Sequence, residues 1–567
     1  MLITAITIEN FKGISEPIKI ELKPITLLLG PNSSGKSTIV QAFHYAREIF
    51  DRRNLNPDTT ITGGKAVNLG GFRTLIHNND LSRAVRIRLS LDLTEIDLAE
   101  YFSGASGKKD SDSIPEWENR IYACLSNVNS AWVECSVKWD EDLDAPVVDK
   151  YFVGVNGGSL IKIERLTTSP HPSKVTLFPH KLLEGIVSND DAYQYQYEEK
   201  LLDDYLCSPT LQQPHEDYMA HDHENELLAE YEEKLTEFKE PDEPLPGQPA
   251  FIREIEMFLN QDSALPEWDK VIEFVNPFWE DDIESENLFF ANLMSTLILG
   301  PGKILREELA KMRYLGPIRD LPPRNHLPSL SPNESRWSSG KAAWDVLYTA
   351  NKKLIDDVSE WLSDENLLNS GYEIERKTYK EIDTESSLWV SLMRGTLLDD
   401  SSNIREELTS LPDKIRLYLR ELNTGLEVTP QDIGVGVSQV MPVVVLALHS
   451  KNGIAAVEQP ELHIHPAIQV ALGDLFISQI YEKDICFLLE THSEHLILRM
   501  LRRIRETTEE LLPPAQWPLK QEDLAVCYIE QTENGTRTHR LRIDDQGEFI
   551  DKWPKGFFDE REEELLY

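Results

Sequence analysis

The sequence is poor in basic residues. It has 57 lysines and arginines against 98 aspartates and glutamates, which gives a formal net charge of −41 over 567 residues. A charge of this size favours solubility and repels bare nucleic acid. Any contact with DNA is therefore expected to be local or to be made by a partner, and direct DNA binding stays uncertain.

Cysteines and long apolar runs are also scarce. No two of the five cysteines have C-x-x-C spacing, so we predict neither a zinc site nor a disulfide framework. This usage suits a reducing cytoplasm. No run approaches the roughly 20 apolar residues of a membrane span, and no basic leader precedes an apolar stretch at the N-terminus. We expect a cytoplasmic protein without a membrane segment. The five cysteines are Cys124, Cys135, Cys207, Cys486 and Cys527.

The length of the chain exceeds what one hydrophobic core usually serves. At about 150 residues per domain, 567 residues allow three or four domains. The hydrophobic content of 40% is high enough for packed cores, which excludes a largely disordered chain. We expect fewer domains than the length allows, because the motifs described next indicate that one domain is discontinuous.

One strong motif lies near the N-terminus. Residues 30–38 read Gly-Pro-Asn-Ser-Ser-Gly-Lys-Ser-Thr and match the P-loop pattern G-x-x-x-x-G-K-[ST]. The apolar run 25–29 before the motif is typical of a buried strand, and residues 38–46 after it have a helical pattern. A glycine turn with a chance Gly-Lys-Ser is the alternative. The flanks favour a nucleotide-binding loop.

The chemistry of a P-loop assigns a task to each residue type. Gly30 and Gly35 let the backbone curl so that its N–H groups face phosphates, and the following helix adds its positive end. Lys36 is expected to reach the outer phosphates and Ser37 to offer its hydroxyl to Mg²⁺. The predicted nucleotide-binding residues of the loop are Asn32, Ser33, Ser34, Gly35, Lys36, Ser37 and Thr38.

The first half of the chain is otherwise rich in β-branched residues. Residues 2–8 and 18–22 predict two strands that lead to the P-loop strand, and residues 85–93 alternate between apolar and polar. These segments, with 132–137 and 151–155, predict an antiparallel β subdomain. From about residue 190 to 310 the sequence is acidic and without persistent heptads, which predicts a globular helical insertion.

The second half of the chain contains two further buried strands that end in polar residues. Residues 453–458 end in an acid, and residues 485–490 precede the sequence Thr491-His492-Ser493. A glycine-containing segment, 434–439, precedes an apolar helix over 440–448. Residues 524–530 and 536–543 flank Asn-Gly and predict a hairpin.

The P-loop lysine and the acidic strand end are 422 positions apart (458 minus 36). This layout resembles the ATP-binding-cassette ATPases of the SMC/RecF type. It is closer to their smaller bacterial relatives of the OLD family and the ATPase subunits of anti-phage defence systems such as Septu. The resemblance covers roughly residues 1–165 and 310–510. It implies an α/β fold, namely an ABC-type P-loop ATPase head assembled from N- and C-terminal lobes, with an antiparallel β subdomain and a helical insertion.

On this basis we predict four regions. Residues 1–165 form the N-terminal lobe with the P-loop and the antiparallel β subdomain, and 166–310 form the acidic helical insertion. Residues 311–510 form the C-terminal lobe. Residues 511–567 form a hairpin and a module with Trp-Pro and Gly-Phe-Phe that is similar to a module of unknown role on some of these ATPases.

The resemblance also implies roles for residues of the C-terminal lobe. The segment 434–439 takes the place of the signature motif, which in such proteins contacts the nucleotide of the opposing subunit. Ser438 is then the candidate hydroxyl for the γ-phosphate, and a glycine turn that caps the next helix is the alternative. His492 resembles the switch histidine that touches the γ-phosphate, or it is only a hydrogen-bonding residue at a loop end. The predicted signature residues are Gly434, Gly436, Ser438 and Gln439.

The acidic strand end departs from the pattern of these families, which usually read Asp-Glu-Pro. Glu458 stands for the aspartate and can still serve Mg²⁺, whereas Gln459 replaces the glutamate that positions the attacking water. Gln459 cannot accept a proton, although its amide could orient water. Glu461 is a candidate substitute base. We therefore expect an ATPase with slow turnover and with ATP and Mg²⁺ as cofactors.

Two other groups of residues carry weaker signals. His463 and His465 near Glu461 suggest a metal site only weakly, because a third clear ligand is missing. An arginine run on a predicted helix is more typical of a surface helix paired with acids than of a DNA contact. We find no HNH, Toprim or other nuclease signature in the sequence. The run consists of Arg499, Arg502, Arg503 and Arg505.

These observations favour an ATPase that dimerises head to head on ATP, or forms a higher oligomer. It would regulate a separately encoded effector in anti-phage defence, with an HNH-type nuclease as one candidate. Two alternatives stay open. One is a nearly non-hydrolysing ATP sensor or scaffold that holds a toxic partner inactive. The other is a RecF-type DNA-repair ATPase, against which the net charge argues.

Overall fold

The computed structural model describes most of the chain. The described residues are 2–101, 116–166, 172–178, 255–259, 263–272, 274–275, 284–324, 326–329, 334–394, 401–533 and 535–552, together with His180 and Leu182. Among these residues, no helix has both the length and the apolar character needed to cross a membrane. Four cysteines lie in this part of the chain, and all four are free thiols. Cys207 falls outside it.

Strands make up four sheets of nine, six, three and two strands in the described residues. The strands are β1 (Ile3–Glu9), β2 (Ile18–Glu21), β3 (Ile25–Leu29), β4 (Thr59–Thr60), β5 (Gly64–Asn68), β6 (Ala84–Asp92), β7 (Ser130–Asp140), β8 (Ala145–Val155), β9 (Gly158–Arg165), β10 (Ser173–Leu177), β11 (Ile255–Leu259), β12 (Phe274–Val275), β13 (Arg313–Leu315), β14 (Tyr372–Lys380), β15 (Asp413–Glu421), β16 (Glu427–Val428), β17 (Asn452–Glu458), β18 (Asp484–Glu490), β19 (Leu524–Thr532) and β20 (Gly535–Leu541).

Most of the helices lie in the C-terminal half of the chain. They are α1 (Lys36–Arg52), α2 (Phe72–Leu75), α3 (Glu116–Leu125), α4 (Glu284–Ala310), α5 (Ser335–Ser338), α6 (Lys341–Thr349), α7 (Lys352–Ser363), α8 (Ser387–Arg394), α9 (Ser401–Ser410), α10 (Val435–His449), α11 (Pro466–Glu482) and α12 (Glu494–Thr508).

The six-stranded sheet holds the P-loop strand β3 in its interior. Its order is β13-β17-β18-β3-β19-β20, and all neighbours are parallel except the β19–β20 hairpin. All five residues of β3 are buried, as expected for a parallel strand that is covered on both faces. β3 comes from the N-terminal part of the chain, whereas the other five strands of this sheet come from beyond residue 312. The prediction of an α/β head assembled from both ends of the chain is confirmed.

This sheet separates two hydrophobic cores. Leu28 of β3 belongs to one core, and its neighbours Leu27 and Leu29 belong to the other. Leu488 and Leu489 of β18 divide in the same way. The division follows from the strand itself, because successive side chains point to opposite faces of a sheet. The first core is shared with α1 and the nine-stranded sheet, and the second with α10 and α11.

The nine-stranded sheet has the order β12-β11-β10-β9-β8-β7-β6-β1-β2 and is antiparallel throughout. β6 alternates between buried and more exposed residues, as its sequence predicted. β1 and β2 are strands, also as predicted. β1 pairs with both β2 and β6, however, so the two strands belong to this sheet and not to the sheet of the P-loop strand.

Part of the region predicted to be a helical insertion forms β-strands. Within residues 166–310, β10, β11 and β12 extend the nine-stranded sheet at its edge. Helix α4 packs against the same subdomain, where the Tyr151 hydroxyl donates to the carbonyl of Ile298 at 2.9 Å. Their acidic surroundings suggested helix, but the pairing of β10 with β9, of β11 with β10 and of β12 with β11 decides the conformation of these short segments. Residues 183–254 lie outside the described part, and the division at 165 and 310 stays a prediction.

Candidate nucleotide-binding site

The P-loop has the strand-loop-helix context that its motif predicted. β3 ends at Leu29, and α1 begins at Lys36. Three residues between them or next to them adopt positive φ, namely Gly30 (143°), Ser33 (63°) and Gly35 (103°). A Cβ atom on Gly30 would lie 2.1 Å from the carbonyl oxygen of Ile529 in β19. Glycine is therefore required at position 30 by space as well as by conformation.

Lys36 is held inside the loop. Its Nζ donates to the carbonyls of Gly30 at 3.0 Å and Pro31 at 2.9 Å, and the residue is only 3% exposed. Burial lowers the pKa of Lys36, while the nearby carboxylates of Glu490 and others oppose this shift. An ammonium group that binds only backbone carbonyls is free to exchange them for phosphate oxygens.

Polar atoms on both sides of the P-loop lysine are buried without a hydrogen-bond partner among the described residues, and two of them could face a phosphate. They are Oγ of Ser34, which lies in the P-loop and is 2% exposed, and Nε2 of His492, which follows β18. Burial and the charge of Lys36 lower the pKa of His492, which keeps its ring neutral. Buried polar atoms usually find partners, so unpaired atoms around a P-loop fit a site that is completed by phosphate.

The carboxylates of Glu458, Glu461 and Glu490 all lie close enough to the P-loop for their charges to act on Lys36. Glu458 and Glu490 end the adjacent strands β17 and β18, where they lie opposite each other in register. Tyr314 of β13 donates its hydroxyl to Oε1 of Glu458 at 3.0 Å. Burial and the charge of Glu490 raise the pKa of Glu458 to about 7, and burial also raises the pKa of Glu490 and of Glu461.

Glu461 is engaged with the histidine loop. Its Oε2 accepts the hydroxyl proton of Thr491 at 2.8 Å, and its Oε1 accepts the backbone N–H of His492 at 2.8 Å. These two bonds fix the direction in which the loop after β18 leaves the sheet. The role of substitute base, predicted for Glu461 from the sequence, stays a prediction.

Gln459 occupies a left-handed backbone conformation directly after β17. Its φ is 44°, and its N–H donates to the carbonyl of Glu490 at 2.7 Å. The buried guanidinium of Arg319 holds this turn: Nη2 donates to the carbonyls of Glu458 at 2.8 Å and Gln459 at 3.1 Å. A left-handed non-glycine residue is unfavourable by itself, so these bonds keep the turn in place.

The signature-like segment is helical and not a loop before a helix. We predicted that residues 434–439 precede the helix, but α10 begins at Val435, with Gly434 as its N-cap. The hydroxyl of Ser438 donates back to the carbonyl of Val435 at 2.7 Å, and the Gln439 amide donates to the carbonyl of Arg319 at 2.9 Å. Gly434 has φ −61°, so its ordinary backbone lets the helix start there. Val435 is 62% exposed, which leaves the first turn of α10 open to solvent.

The two histidines near Glu461 do not form a metal centre. In the described residues, no group of three or more His, Cys, Asp or Glu side chains is arranged to hold a metal. Nδ1 of His465 instead accepts the N–H of Ala467 at 3.2 Å and caps helix α11. His463 has a positive φ of 61° in the preceding turn. Magnesium at a P-loop needs only one or two protein carboxylates in addition to phosphate oxygens and water, so a smaller ligand set suffices.

The arginine run on α12 is paired with acids. Arg499 and Arg503 both contact Asp474, and Arg502 and Arg503 contact Glu506. Arg505 contacts Glu548. These ion pairs agree with the interpretation of α12 as an ordinary helix.

The site includes three residues to which the sequence analysis gave no role. Glu490 was part of a predicted strand, whereas Tyr314 and Arg319 were assigned no part in the site. An acid at the end of a buried strand was a usable signal for Glu490. The partners of Tyr314 and Arg319 depend on the pairing of β13 with β17, which the sequence does not reveal.

Three family models match parts of the chain. Residues 1–128 match a family described as "AAA ATPase domain", and residues 304–499 match one described as "AAA domain, putative AbiEii toxin, Type IV TA system". Residues 519–566 match "Protein of unknown function (DUF3696)". The chain therefore carries AAA-type ATPase sequence on both sides of residues 129–303. Among curated proteins, none matches the chain.

Solved structures similar to the chain include SMC head domains. One is the Smc head domain from Pyrococcus furiosus bound to the C-terminal domain of ScpA, at 9% identity and a TM-score of 0.34, covering 96% of this chain and 97% of that one. Another is the SMC head domain from Thermotoga maritima, at 7% identity and a TM-score of 0.34, covering 96% and 100%. A third, from Pyrococcus yayanosii, has 10% identity and a TM-score of 0.33, covering 95% and 97%.

Magnesium-dependent nucleotide binding should weaken as the pH falls through about 7. An ordinary glutamate stays charged down to its usual value of 4.5, but the raised pKa of Glu458 means that this side chain gains a proton below about 7. A protonated carboxyl offers no charge to Mg²⁺. Titration of a fluorescent ATP analogue at about pH 6 and about pH 8, with and without Mg²⁺, measures this effect.

The matched control is Glu458→Gln, which cannot titrate. This variant should bind the analogue with the same dependence on Mg²⁺ at both pH values. Equal Mg²⁺ dependence of the unsubstituted protein at both pH values would contradict the prediction. A pH dependence that persists in Glu458→Gln would show that another group causes it.

Proposed function

We propose that this chain is an ATP-binding-cassette ATPase that dimerises on ATP and regulates a separately encoded effector, a nuclease in anti-phage defence. The observation that carries the ATPase part is the contact between Ser37 and Glu490. The Ser37 hydroxyl donates to Oε2 of Glu490 at 2.7 Å, although the two residues are 453 positions apart. A P-loop serine meets a strand-end acid in this way where a nucleotide site is assembled from two ends of a chain.

The residues present fit ATP and Mg²⁺. The N–H groups of residues 32–38 and the N-terminus of α1 would bind the phosphates, and Ser34 and His492 have unpaired atoms for the same oxygens. Lys36 would move from the carbonyls of Gly30 and Pro31 to the outer phosphate. Ser37 and Glu458 would hold Mg²⁺, whose chemistry is to neutralise the charge that develops on the phosphates.

Hydrolysis is proposed to be slow because the usual carboxylate is missing at position 459. The amide of Gln459 can orient a water molecule but cannot take its proton. Its backbone is held by Arg319 and by the carbonyl of Glu490, so the side chain leaves the turn from a fixed point. This environment supports water orientation without general-base assistance.

Dimerisation is proposed through the first turn of α10. The exposed Val435 and Gly434 lie at a helix N-terminus, where unpaired N–H groups favour an anion. In the ATPases that this chain resembles, the nucleotide bound to the opposite subunit supplies that anion. Ser438 would then exchange its bond to Val435 for the γ-phosphate of the partner's nucleotide.

ATP should drive association of the protein, and the association should need both halves of the composite site. Lys36→Ala removes the phosphate contact, and Ser438→Arg replaces the hydroxyl proposed for the partner's γ-phosphate by a bulky side chain. Light scattering with ATP and Mg²⁺ should show both variants less associated than the parent. Lys19→Ala, at a lysine whose side chain is 58% exposed, is the matched control and should associate like the parent. Association of both site variants at the level of the parent would overturn the composite site.

Turnover should be slow and should rise when a carboxylate is restored at position 459. General-base assistance is typically worth about 10² to 10⁴ in rate, so we expect Gln459→Glu to hydrolyse ATP faster in a steady-state phosphate-release assay. Glu461→Gln tests the substitute base separately. A parent that already turns over on the order of several ATP per second would contradict the proposal.

The same assay distinguishes the second candidate function, a nearly non-hydrolysing ATP sensor that holds a toxic partner inactive. Gln459 is the observation that favours it. Tight ATP binding by the parent without measurable turnover would support the sensor over the cycling ATPase.

The effector is proposed to dock on the acidic region between β10 and β11. Charge of one sign can steer a basic, nucleic-acid-binding protein into place. Leu177 and Ile255 are partners in the β10–β11 ladder, so the chain leaves and re-enters the sheet at adjacent positions. A short flexible linker can therefore replace residues 183–254 without stretching either strand.

Replacement of residues 183–254 by such a linker should leave ATP binding intact and should abolish capture of the co-expressed effector protein. Fluorescent ATP binding and thermal unfolding are the controls for an intact head. The measurement is a pull-down at moderate salt. Undiminished capture would move the docking site to the head or to the C-terminal region.

A further inference from the structure

The contact between Ser37 and Glu490 also carries an inference about the metal. We propose that Glu490 is a positioning residue for Mg²⁺, which orients the Ser37 hydroxyl toward the ion and places a negative charge beside it. From the sequence, Glu458 was the only acid predicted to hold the metal. The inference rests on the proposed ATPase function and adds a residue to its site.

The hydrogen bond itself sets the direction of the hydroxyl. A serine hydroxyl has one proton and two lone pairs. Because the proton of Ser37 points to Oε2 of Glu490 at 2.7 Å, the lone pairs point away from that carboxylate. A metal ion bound to the lone pairs of Ser37 would leave the bond to Glu490 intact. A ligand fixed by such a partner loses less freedom when the metal binds.

The order of the sheet places Glu490 closer to the P-loop than Glu458. β18 pairs directly with β3, and Glu490 lies opposite Leu28, whereas β17 is separated from β3 by β18. Neighbouring strands are about 4.8 Å apart. Glu490, which ends β18, therefore lies about one strand spacing nearer to β3 and the P-loop than Glu458, which ends β17.

Glu458, Lys36 and Arg319 already have hydrogen-bond partners of their own. Oε1 of Glu458 accepts the Tyr314 hydroxyl, Lys36 donates to P-loop carbonyls, and Arg319 donates to the carbonyls of the turn after β17. Glu490 is 5% exposed, and its carboxylate accepts a hydrogen bond from the neutral hydroxyl of Ser37. A buried carboxylate in this situation is stabilised by a cation bound nearby.

The experiment measures metal affinity apart from catalysis. Mn²⁺ replaces Mg²⁺ as a paramagnetic probe, and its free concentration is followed by electron paramagnetic resonance in the presence of a non-hydrolysable ATP analogue. Glu490→Gln keeps a hydrogen-bond acceptor for Ser37 but removes the charge, and Glu490→Leu removes both. Glu482→Gln, at an exposed residue at the end of α11, is the matched control.

We expect Glu490→Gln to weaken Mn²⁺ binding and Glu490→Leu to weaken it further, within the range of about 10- to 100-fold seen for partners of metal ligands. Binding of the analogue in EDTA should stay at the level of the parent in both variants, which also shows that they are folded. In the Ser37→Ala background, Glu490→Leu should cost much less than it does alone, because the hydroxyl that Glu490 orients is then absent.

Mn²⁺ affinity of both Glu490 variants within about twofold of the parent would overturn the inference, as would full additivity with Ser37→Ala. If Glu490→Leu does not fold, Glu490→Gln decides alone. A parent that does not bind the analogue at all would instead overturn the proposed function, and the two failures are thereby distinguished.

Discussion

The site depends on the pairing of one short strand. β3 lies between β18 and β19, and both partners come from the last hundred residues of the chain. The parallel register places Glu490 opposite Leu28, at the end of β3 from which the P-loop departs. Because carboxyl ends of parallel strands lie at one edge of a sheet, this pairing brings Lys36 and Ser37 to the acids of β17 and β18. The P-loop sequence alone contains no acid, and the carboxylates nearest to it come from the C-terminal strands.

The same pairing creates an electrostatic cost. Glu458, Glu461 and Glu490 are all largely buried, and burial raises the pKa of each. Lys36 and Arg319 reduce that cost only in part, since their hydrogen bonds in this structure go to backbone carbonyls. The negative charges of the three carboxylates are thus not balanced by the cations around them. A site in this condition gains more from a divalent cation than a fully neutralised one would, because the cation relieves repulsion between the carboxylates that already exists.

Local patterns in the sequence predicted the parts of this site that are local in the chain. The P-loop, the alternation of β6 and the β19–β20 hairpin each follow from a few neighbouring residues, and each is present. Contacts that join distant segments were not predictable in this way. Arg319 acts through the carbonyls of Glu458 and Gln459, and Tyr314 acts through Glu458, so their roles exist only once β13 pairs with β17. The start of α10 was misplaced for a different reason: glycines at 434 and 436 suggested a loop, whereas the apolar face of Val437 and Val440 extends the helix to Val435.

The C-terminal region acquires a structural meaning from the same topology. β19 and β20 lie within residues 519–566, the part that matches a family of unknown function. β19 is the second partner of β3, and Ile529 in it presents the carbonyl that excludes a side chain at Gly30. In β20, Oγ1 of Thr536 would lie 2.9 Å from a Cβ on Gly35. Both glycines of the P-loop are thus packed against this hairpin, so any movement of β19 relative to β3 must change the loop that binds phosphate. The β19–β20 hairpin thus packs directly against the P-loop, so a displacement of the hairpin would also displace the loop.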